Sequence, residues 1–443
     1  LTDAPPAVSP DAALDPAREP GQADYQRAVD AYVVGDFDGA LTGFAAALAA
    51  QPTLAAAAYG AAMIWMTLGQ VDAAWASIEQ AIAIAPDEPA WWSARARIAL
   101  GLGDGARALA AIDDADARGG EPIELHGLRG TALAQLGRLP DARAAYAEAR
   151  ALGPDRYETH FNCALGAELA GDLDGAIAGY GATLAVDPTV QAAWANLTRI
   201  LTALGRRAEL AEVYARWHAQ VPDDPAVAHL LASARGDNPP AAPAAYLTQL
   251  FDHAAAGYDH LMVAQLDYRA PALIGAALDG VGVTRVGVAL DLGCGTGLCG
   301  AVVGPRAARL VGVDLSAQMT AIAATTGRYD ALEVGDALAH LATAAPYDLI
   351  VAADVLVYLG DLAPVAAAVR RALAPGGHWA FTVEDGGEAG YALGPVGRYA
   401  HHRAYVAEVL AAAGLTAIVD TPGVLRREGD AEVAGRVWVA RAG

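Results

Sequence analysis

Small and apolar positions recur every 34 residues between Gly21 and Asp224, and beyond Ala244 short apolar runs bounded by glycine and aspartate replace that rhythm. In the first stretch Gly35, Gly69, Gly103, Gly137, Gly171 and Gly205 keep one phase. Ala40, Ala74, Ala108, Ala142 and Ala176 follow at fixed distance, and Ala47, Ala81, Ala115 and Ala149 lie two helical turns further on. Pro52, Pro86, Pro154, Pro188 and Pro222 close most units, with Gly120 standing in for one. The spacing predicts pairs of antiparallel helices: glycine ends the first, alanines let the pair approach closely, and proline ends the second. In the last unit Leu210 and Trp217 replace the expected alanines, and Pro225 to Arg235 is expected to cap the stack.

Gly236 to Pro243, with two adjacent prolines, reads as a short linker. Tyr246 to Leu278 is helical by spacing, with Phe251, Ala255, Tyr258 and Met262 on one face. Strand and helix patterns then alternate, as in a doubly wound sheet. Strands are expected at Gly287–Leu292, Leu310–Asp314, before Asp336, from Tyr347 and over His378–Val383. Leu415–Val424 and Val433–Ala440 read as a closing antiparallel hairpin.

The chemistry gathers at residues 287 to 297. A buried strand, the loop glycines Gly293, Gly295 and Gly297, and a following helix make a nucleotide cradle. Asp291 puts a carboxylate at its mouth, which would repel a pyrophosphate and favour a ligand with a sulfonium and a cationic amino-acid tail. That points to S-adenosylmethionine. A rival register, Gly295, Gly297 and Gly300, satisfies the pattern of dinucleotide folds and leaves Asp291 and Cys294 unexplained.

Asp291-Leu-Gly-Cys294-Gly-Thr-Gly297 resembles the first motif of class I S-adenosylmethionine-dependent methyltransferases, and the 34-residue units resemble tetratricopeptide repeats. The resemblance implies a tetratricopeptide α-solenoid followed by a Rossmann-like domain with a mostly parallel seven-stranded sheet and an antiparallel C-terminal hairpin. The corresponding boundaries are a disordered tail over 1–20, the solenoid over 21–235, the linker over 236–243 and the methyltransferase domain over 244–443. The family pattern implies that Asp314 takes the ribose hydroxyls, that Leu315 and Met319 flank the adenine, and that Asp336 beside Ala337 reads the adenine amino group. The plainer reading of either acid is a helix cap. Tyr258 resembles the lid aromatic that closes over the cofactor, with plain packing as its alternative.

Ala353, Asp354 and Tyr358 follow the fourth strand and are expected to border the methyl group, because open sheets bind ligands outside their strand ends. Arg398, Tyr399, His401, His402 and Arg403, with Tyr391 before them, form a dense polar run where acceptor pockets are usually shaped. An amine, phenol or hydroxyl acceptor needs a base, for which His401 or His402 is the first candidate and Asp354 or Tyr399 the second. A carboxylate acceptor would instead be held by Arg398 or Arg403. Surface ion pairing is the bland alternative for both arginines. No third ligand suits a metal beside the histidines.

Composition narrows the rest. The chain of 443 residues is large enough for at least two domains, and its formal charge of −22 argues against binding nucleic acid by phosphate neutralisation. It holds no lysine, which removes Schiff-base and P-loop chemistry. Cys163, Cys294 and Cys299 make neither a disulfide framework nor a zinc set, so a reducing, cytoplasmic setting is expected. No run has the length and apolarity of a membrane span. Proline, alanine and aspartate over residues 1–20 read as a disordered tail, and Leu1 in place of an initiator suggests a trimmed chain. Tyr25, Tyr59, Met63, Met66 and Phe161 are expected to line a concave groove suited to a peptide, or else to pack on neighbouring helices. The leading functional expectation is a bacterial-type methyltransferase acting on a docked peptide or protein. A small-molecule methyltransferase whose repeats serve a homodimer or carrier protein, and a non-catalytic adaptor, are the alternatives.

Overall fold

The computed structural model describes residues 21–343, 346–386, 389–429 and 431–443; the tail expected over 1–20 lies outside them. The chain separates into two compact units, Leu1–Ile200 and Leu201–Gly443.

The first unit is built from helix pairs: α1 (Gln22–Val33) with α2 (Phe37–Ala50), α3 (Ala55–Thr67) with α4 (Val71–Ile84), α5 (Pro89–Gly101) with α6 (Gly105–Ala117), α7 (Pro122–Gln135) with α8 (Leu139–Leu152), and α9 (Tyr157–Leu169) with α10 (Leu173–Val186). α11 (Gln191–Ala203) and α12 (Arg207–Gln220) follow in sequence, and the boundary between the two units falls within α11. Every in-phase glycine from Gly35 to Gly205 has positive φ, between 66° and 80°. A Cβ built on any of them would meet nothing within 4 Å, so glycine is required there by backbone conformation and not by crowding. Gly103→Ala is therefore expected to cost about 1 kcal/mol, the price of one left-handed residue, read as a lowered thermal midpoint with unchanged circular dichroism. The phased alanines behave differently. Ala40, Ala74, Ala108, Ala142 and Ala176 are buried where the paired helices meet.

The aromatic groove foreseen in this unit is mostly core. Tyr25 packs at a tilt on Phe44 with centroids 5.6 Å apart, Tyr59 at a tilt on Trp91 at 4.6 Å, and Phe161 edge-on to Tyr180 at 5.5 Å. Tyr25, Tyr59 and Met63 are buried, and only Met66 and Phe161 keep partial exposure. These apolar side chains pack on the partner helix of their own pair or, for Tyr59, on the next pair.

The second unit opens with α12 and α13 (Pro225–Arg235), the helix expected as a cap. His229 Nε2 lies 3.0 Å from the Gly397 carbonyl, and Ser233 Oγ donates to the Gly394 carbonyl at 2.6 Å. The segment expected as a short, fairly stiff linker is itself pinned. Asn238 bonds the backbone of Tyr391 and Leu393, and the Pro240 carbonyl accepts from both Gly360 and Asp361 N–H. This compact unit therefore begins at Leu201 and not at Ala244. Two prolines remove two donors but leave carbonyls free to bond.

Then come α14 (Ala244–Ala254), a 3₁₀ turn (Ala255–Gly257), a π-helical turn (His260–Gln265) and α15 (Ala270–Gly280). The sheet follows: β1 (Val286–Leu292), α16 (Gly300–Val303), β2 (Ala307–Asp314), α17 (Ala317–Thr325), β3 (Ala331–Val334), α18 (Ala337–Thr343), β4 (Tyr347–Ala352), α19 (Ala363–Ala372), β5 (Leu373–Asp385), β6 (Tyr391–Leu393), β7 (Tyr399–His401), α20 (Arg403–Ala412), β8 (Leu415–Glu428) and β9 (Ala431–Ala442). The strand order is β3-β2-β1-β4-β5-β7-β6, with β1 to β5 parallel, β9 antiparallel to β5, and β8 antiparallel to β9. The seven strands foreseen are joined by two short ones. Tyr391–Leu393 and Tyr399–His401 form a small hairpin whose second strand pairs the end of β5 at Glu384 and Asp385.

Both faces of the central strands are covered. Leu290, Leu292, Ile350 and Phe381 pack on one side, and Ala289, Leu349, Val351 and Ala380 on the other, with Cys299 and Tyr329. Near-continuous apolar runs in β1 and β4 follow from this double burial. The order reverses between β1 and β4, which opens a crevice at their carboxyl ends.

Candidate functional site

A cavity of about 220 Å³ occupies that crevice. The ends of β1, β2, β3 and β4 supply Gly293, Gly295, Asp314, Leu315, Asp336, Ala337, Ala353, Asp354 and Val355. Met319 and Leu338 line it from the helices behind, and Leu247, Phe251 and Tyr258 from α14 and the turn after it. Ala241, Ala242, Tyr358 and Leu359 complete the wall, where the strap after Pro240 bridges the chain beyond β4.

The glycine loop hangs from the end of β2. Gly293 and Cys294 N–H donate to the Val313 carbonyl at 2.8 and 3.0 Å, and Gly295 N–H donates to Asp314 Oδ2 at 2.8 Å. All three loop glycines have positive φ. A Cβ on Gly293 would lie 2.4 Å from Val355, whereas one on Gly295 would meet open space. Gly297 serves differently from expectation. It does not line the cavity, and its Cβ would press on Tyr329, which also occupies the room left by Gly300 and Gly312. Cys294 is buried beneath the loop and likewise does not line the cavity. Its thiol is pushed up by burial, with Asp291 and Asp314 adding repulsion.

Asp291 sits below the mouth it was expected to form. It shares a strand face with Ala289, is almost fully buried, and accepts from the Tyr329 hydroxyl at 2.7 Å through Oδ2. Oδ1 has no hydrogen-bond partner. Burial pushes its carboxyl up to about 7, with the Tyr329 hydrogen bond opposing and the Asp314 charge adding. Asp314 accepts Gly295 N–H on one oxygen and Ser316 N–H on the other. Its carboxyl is raised by burial, with the Asp252 charge adding, against backbone hydrogen bonds from Ser316, Gly295 and Leu315. Asp336 both borders the cavity and caps α18 through Ala339 N–H at 2.9 Å.

The lid is latched. Ser316 Oγ donates to Asp252 at 2.5 Å, and Thr296 Oγ1 donates to Asp259. These bonds hold α14 and the turn after it over the cavity, with Phe251 edge-on to Tyr358 at 5.5 Å and to Tyr258 at 6.3 Å.

At the far end Asp354 adopts φ 57°, a left-handed conformation rare for a side-chain-bearing residue and frequent at functional sites. Its N–H donates to Thr382 Oγ1 at 2.9 Å, and Arg426 Nη1 donates to its Oδ2 at 2.5 Å. Arg426 is 4 % exposed and also bonds Glu384 and Glu428. Burial raises the Asp354 carboxyl while Arg426 pulls it back.

The acceptor run 391–403 lands elsewhere. His401 is fully buried on β7, its Nε2 2.8 Å from the Leu359 carbonyl, and burial lowers its basicity. His402 caps α20, its Nδ1 accepting Ala404 N–H. Neither borders the cavity, and neither does Tyr399, which shares the inward face of β7 with His401. Tyr391 packs against Tyr399 and Tyr405. Arg398 pairs with Glu384 at 2.9 Å and with Glu428, and Arg403, 65 % exposed, pairs with Asp420. The physical reason is the unforeseen hairpin: its alternation turns one residue into the sheet and the next outward. Of the acceptor-side residues proposed from sequence, Asp354 and Tyr358 alone reach the cavity, together with Ala353.

Residues 290–379, from β1 into β5, match the family described as a methyltransferase domain, and residues 34–98 match the tetratricopeptide repeat family. The chain joins tetratricopeptide repeats to a methyltransferase domain. Among solved structures, the methyltransferase part is similar to the N-methyltransferase NodS from Bradyrhizobium japonicum in complex with S-adenosyl-L-homocysteine, at 21% identity over 44% of this chain and 97% of that one, TM-score 0.36. It is also similar to the Burkholderia thailandensis 1,6-didemethyltoxoflavin-N1-methyltransferase, at 22% identity over 46% and 92%, TM-score 0.37. The repeats are similar to a thermophilic tetratricopeptide protein of Thermus thermophilus, at 26% identity over 41% and 98%, TM-score 0.37. No curated protein matches the chain. Among the described residues, no helix is long and apolar enough to cross a membrane, and no three His, Cys, Asp or Glu side chains converge as a metal site would.

Proposed function

We propose that the chain is an S-adenosylmethionine-dependent methyltransferase whose acceptor is a peptide or protein docked by the repeats. The observation that carries the cofactor is the charge of the cavity wall: Asp314, Asp336 and Asp354 line it and, among the described residues, no arginine or histidine does. A dinucleotide brings a pyrophosphate that this wall would repel, whereas a sulfonium with an amino-acid tail is attracted. The other features fit as well. Gly293 and Gly295 let the backbone approach a ligand, Asp314 offers a carboxylate at the end of β2 for a ribose diol, and Leu315, Met319 and Leu338 offer an apolar slot for adenine. The orphaned Asp291 Oδ1 supplies negative charge beneath the loop.

When bound, the cofactor supplies an electrophilic methyl carbon. The protein's part is to hold the acceptor in line and to exclude water, which the latched lid serves. Binding a cation favours ionised Asp291, so the affinity for S-adenosylmethionine is expected to fall as pH drops through about 7. Tyr329→Phe removes the hydrogen bond that opposes protonation and should move this fall to higher pH. Calorimetric titrations between pH 6 and 9, an interval of about three units around that value, read both effects. Coincident profiles for the two proteins would count against the role given to Asp291.

The repeat family supports a macromolecular acceptor, while a cavity roofed by α14 and Phe251 favours a small one. Incubating the protein and methyl-tritiated S-adenosylmethionine with cell extract separates these readings. Label that precipitates with acid and migrates with protein supports the first. Label confined to the soluble fraction replaces it with the second.

A further inference from the structure

We infer that the acceptor atom is an amine nitrogen, received among Phe251, Tyr258 and Tyr358 with Asp354 taking its proton. The inference rests on the methyltransferase reading above and adds the acceptor's chemical class. It follows from how charge is distributed around the end of β4. Asp314 and Asp336 stand at the ends of β2 and β3, on the side given to the cofactor. Asp354 and Tyr358 follow β4, Phe251 packs on Tyr358 and on Tyr258, and among the described residues Asp354 is the one charged group that the end of β4 gives to the cavity.

Behind Asp354 the described residues place no surplus of positive charge. Arg426 and Arg398 together face three carboxylates, those of Asp354, Glu384 and Glu428, and neither guanidinium borders the cavity. Arg426 thus anchors Asp354 through Oδ2 without offering the cavity a cation. A carboxylate, thiolate or phenolate acceptor would bring a second negative charge beside Asp354 and Asp314, and among the described residues no side-chain cation lines the cavity to hold it. An amine arrives neutral and leaves as an ammonium. Three aromatic rings and one carboxylate are the surroundings that stabilise such a cation.

The step balances without a further reactant. The nitrogen lone pair forms the N–C bond, the C–S bond breaks with its electron pair going to sulfur, and the ammonium so formed passes one proton to a carboxylate oxygen of Asp354. Burial already biases that carboxyl towards holding a proton, against the pull of Arg426. His401 and His402, the bases foreseen from sequence, lie outside the cavity and take no part.

The test uses the full-length protein saturated with S-adenosylhomocysteine and three probes of one shape: benzylamine, benzyl alcohol and benzoate, titrated by ligand-observed NMR. Benzylamine is expected to bind at least about tenfold more tightly than benzoate. In Asp354→Asn the preference for benzylamine over benzyl alcohol should collapse to within about twofold, with retained homocysteine-derivative binding reporting that the fold is intact. Should that variant not fold, Tyr358→Leu leaves the ion pairs in place and should weaken benzylamine about fivefold while sparing benzyl alcohol. Benzoate binding as tightly as benzylamine overturns the inference. So does a preference unchanged in both variants, or no benzylamine binding at millimolar concentration to a complex that holds S-adenosylhomocysteine. Failure of the wild-type protein to bind S-adenosylhomocysteine at all is a different result, which removes the methyltransferase reading itself.

Discussion

Asp314→Ala is expected to weaken S-adenosylhomocysteine binding by a factor of about a hundred or more, since a carboxylate bonded to two hydroxyls contributes roughly 3 kcal/mol. The effect has a second source in the apo protein. Gly295 and Ser316 N–H both donate to this carboxylate, so its removal frees the loop that carries the cavity's glycines. Asp314→Asn keeps one acceptor and should fall between the two. Isothermal titration with unfolding controls gives the answer, and affinity within threefold of wild type would show that the ligand does not reach the end of β2.

Arg426→Met should be the most destabilising single change in the second unit. It strips the guanidinium from Asp354, Glu384 and Glu428 at once, and breaking a buried pair by removing one partner costs about 3–5 kcal/mol. The direction with pH follows. Once unpaired, the buried Asp354 carboxyl keeps a folded pKa above that of the unfolded chain, so it favours folding when protonated, and the variant should regain stability as pH falls from 7 towards 5. Adding Asp354→Asn to Arg426→Met should recover part of the loss. Urea unfolding at the two pH values checks this, and a variant as stable as wild type at pH 7 would mean that Arg398 alone balances the cluster.

The repeats were legible because their signal is local: the positive φ of Gly103 and the burial of Ala108 are read within one helix pair. The glycine loop, Asp314 and Asp354 were legible because each ends a strand whose apolar run announces it. Arg426 was not. Its partners lie 72 and 42 residues away, and only the sheet brings them together. The 391–403 run misled for a related reason. Dense polar chemistry in sequence became a hairpin whose second strand buries Tyr399 and His401, while Arg403 begins the next helix and pairs outward with Asp420. Pro240 shows a further limit, because two adjacent prolines predicted a short, fairly stiff linker but gave no sign that the carbonyl of one ties two N–H groups beyond β4.

The lid bonds between Asp252 and Ser316 and between Asp259 and Thr296 turn occupancy into a matter of timing. They fasten the C-terminal end of α14 and the turn after it over the cavity, so arrival and departure of a ligand the size of a nucleoside are expected to share one gate. Opening breaks two hydrogen bonds to charged acceptors and wets Phe251 and Tyr258, and catalytic cycles can turn over no faster than that happens.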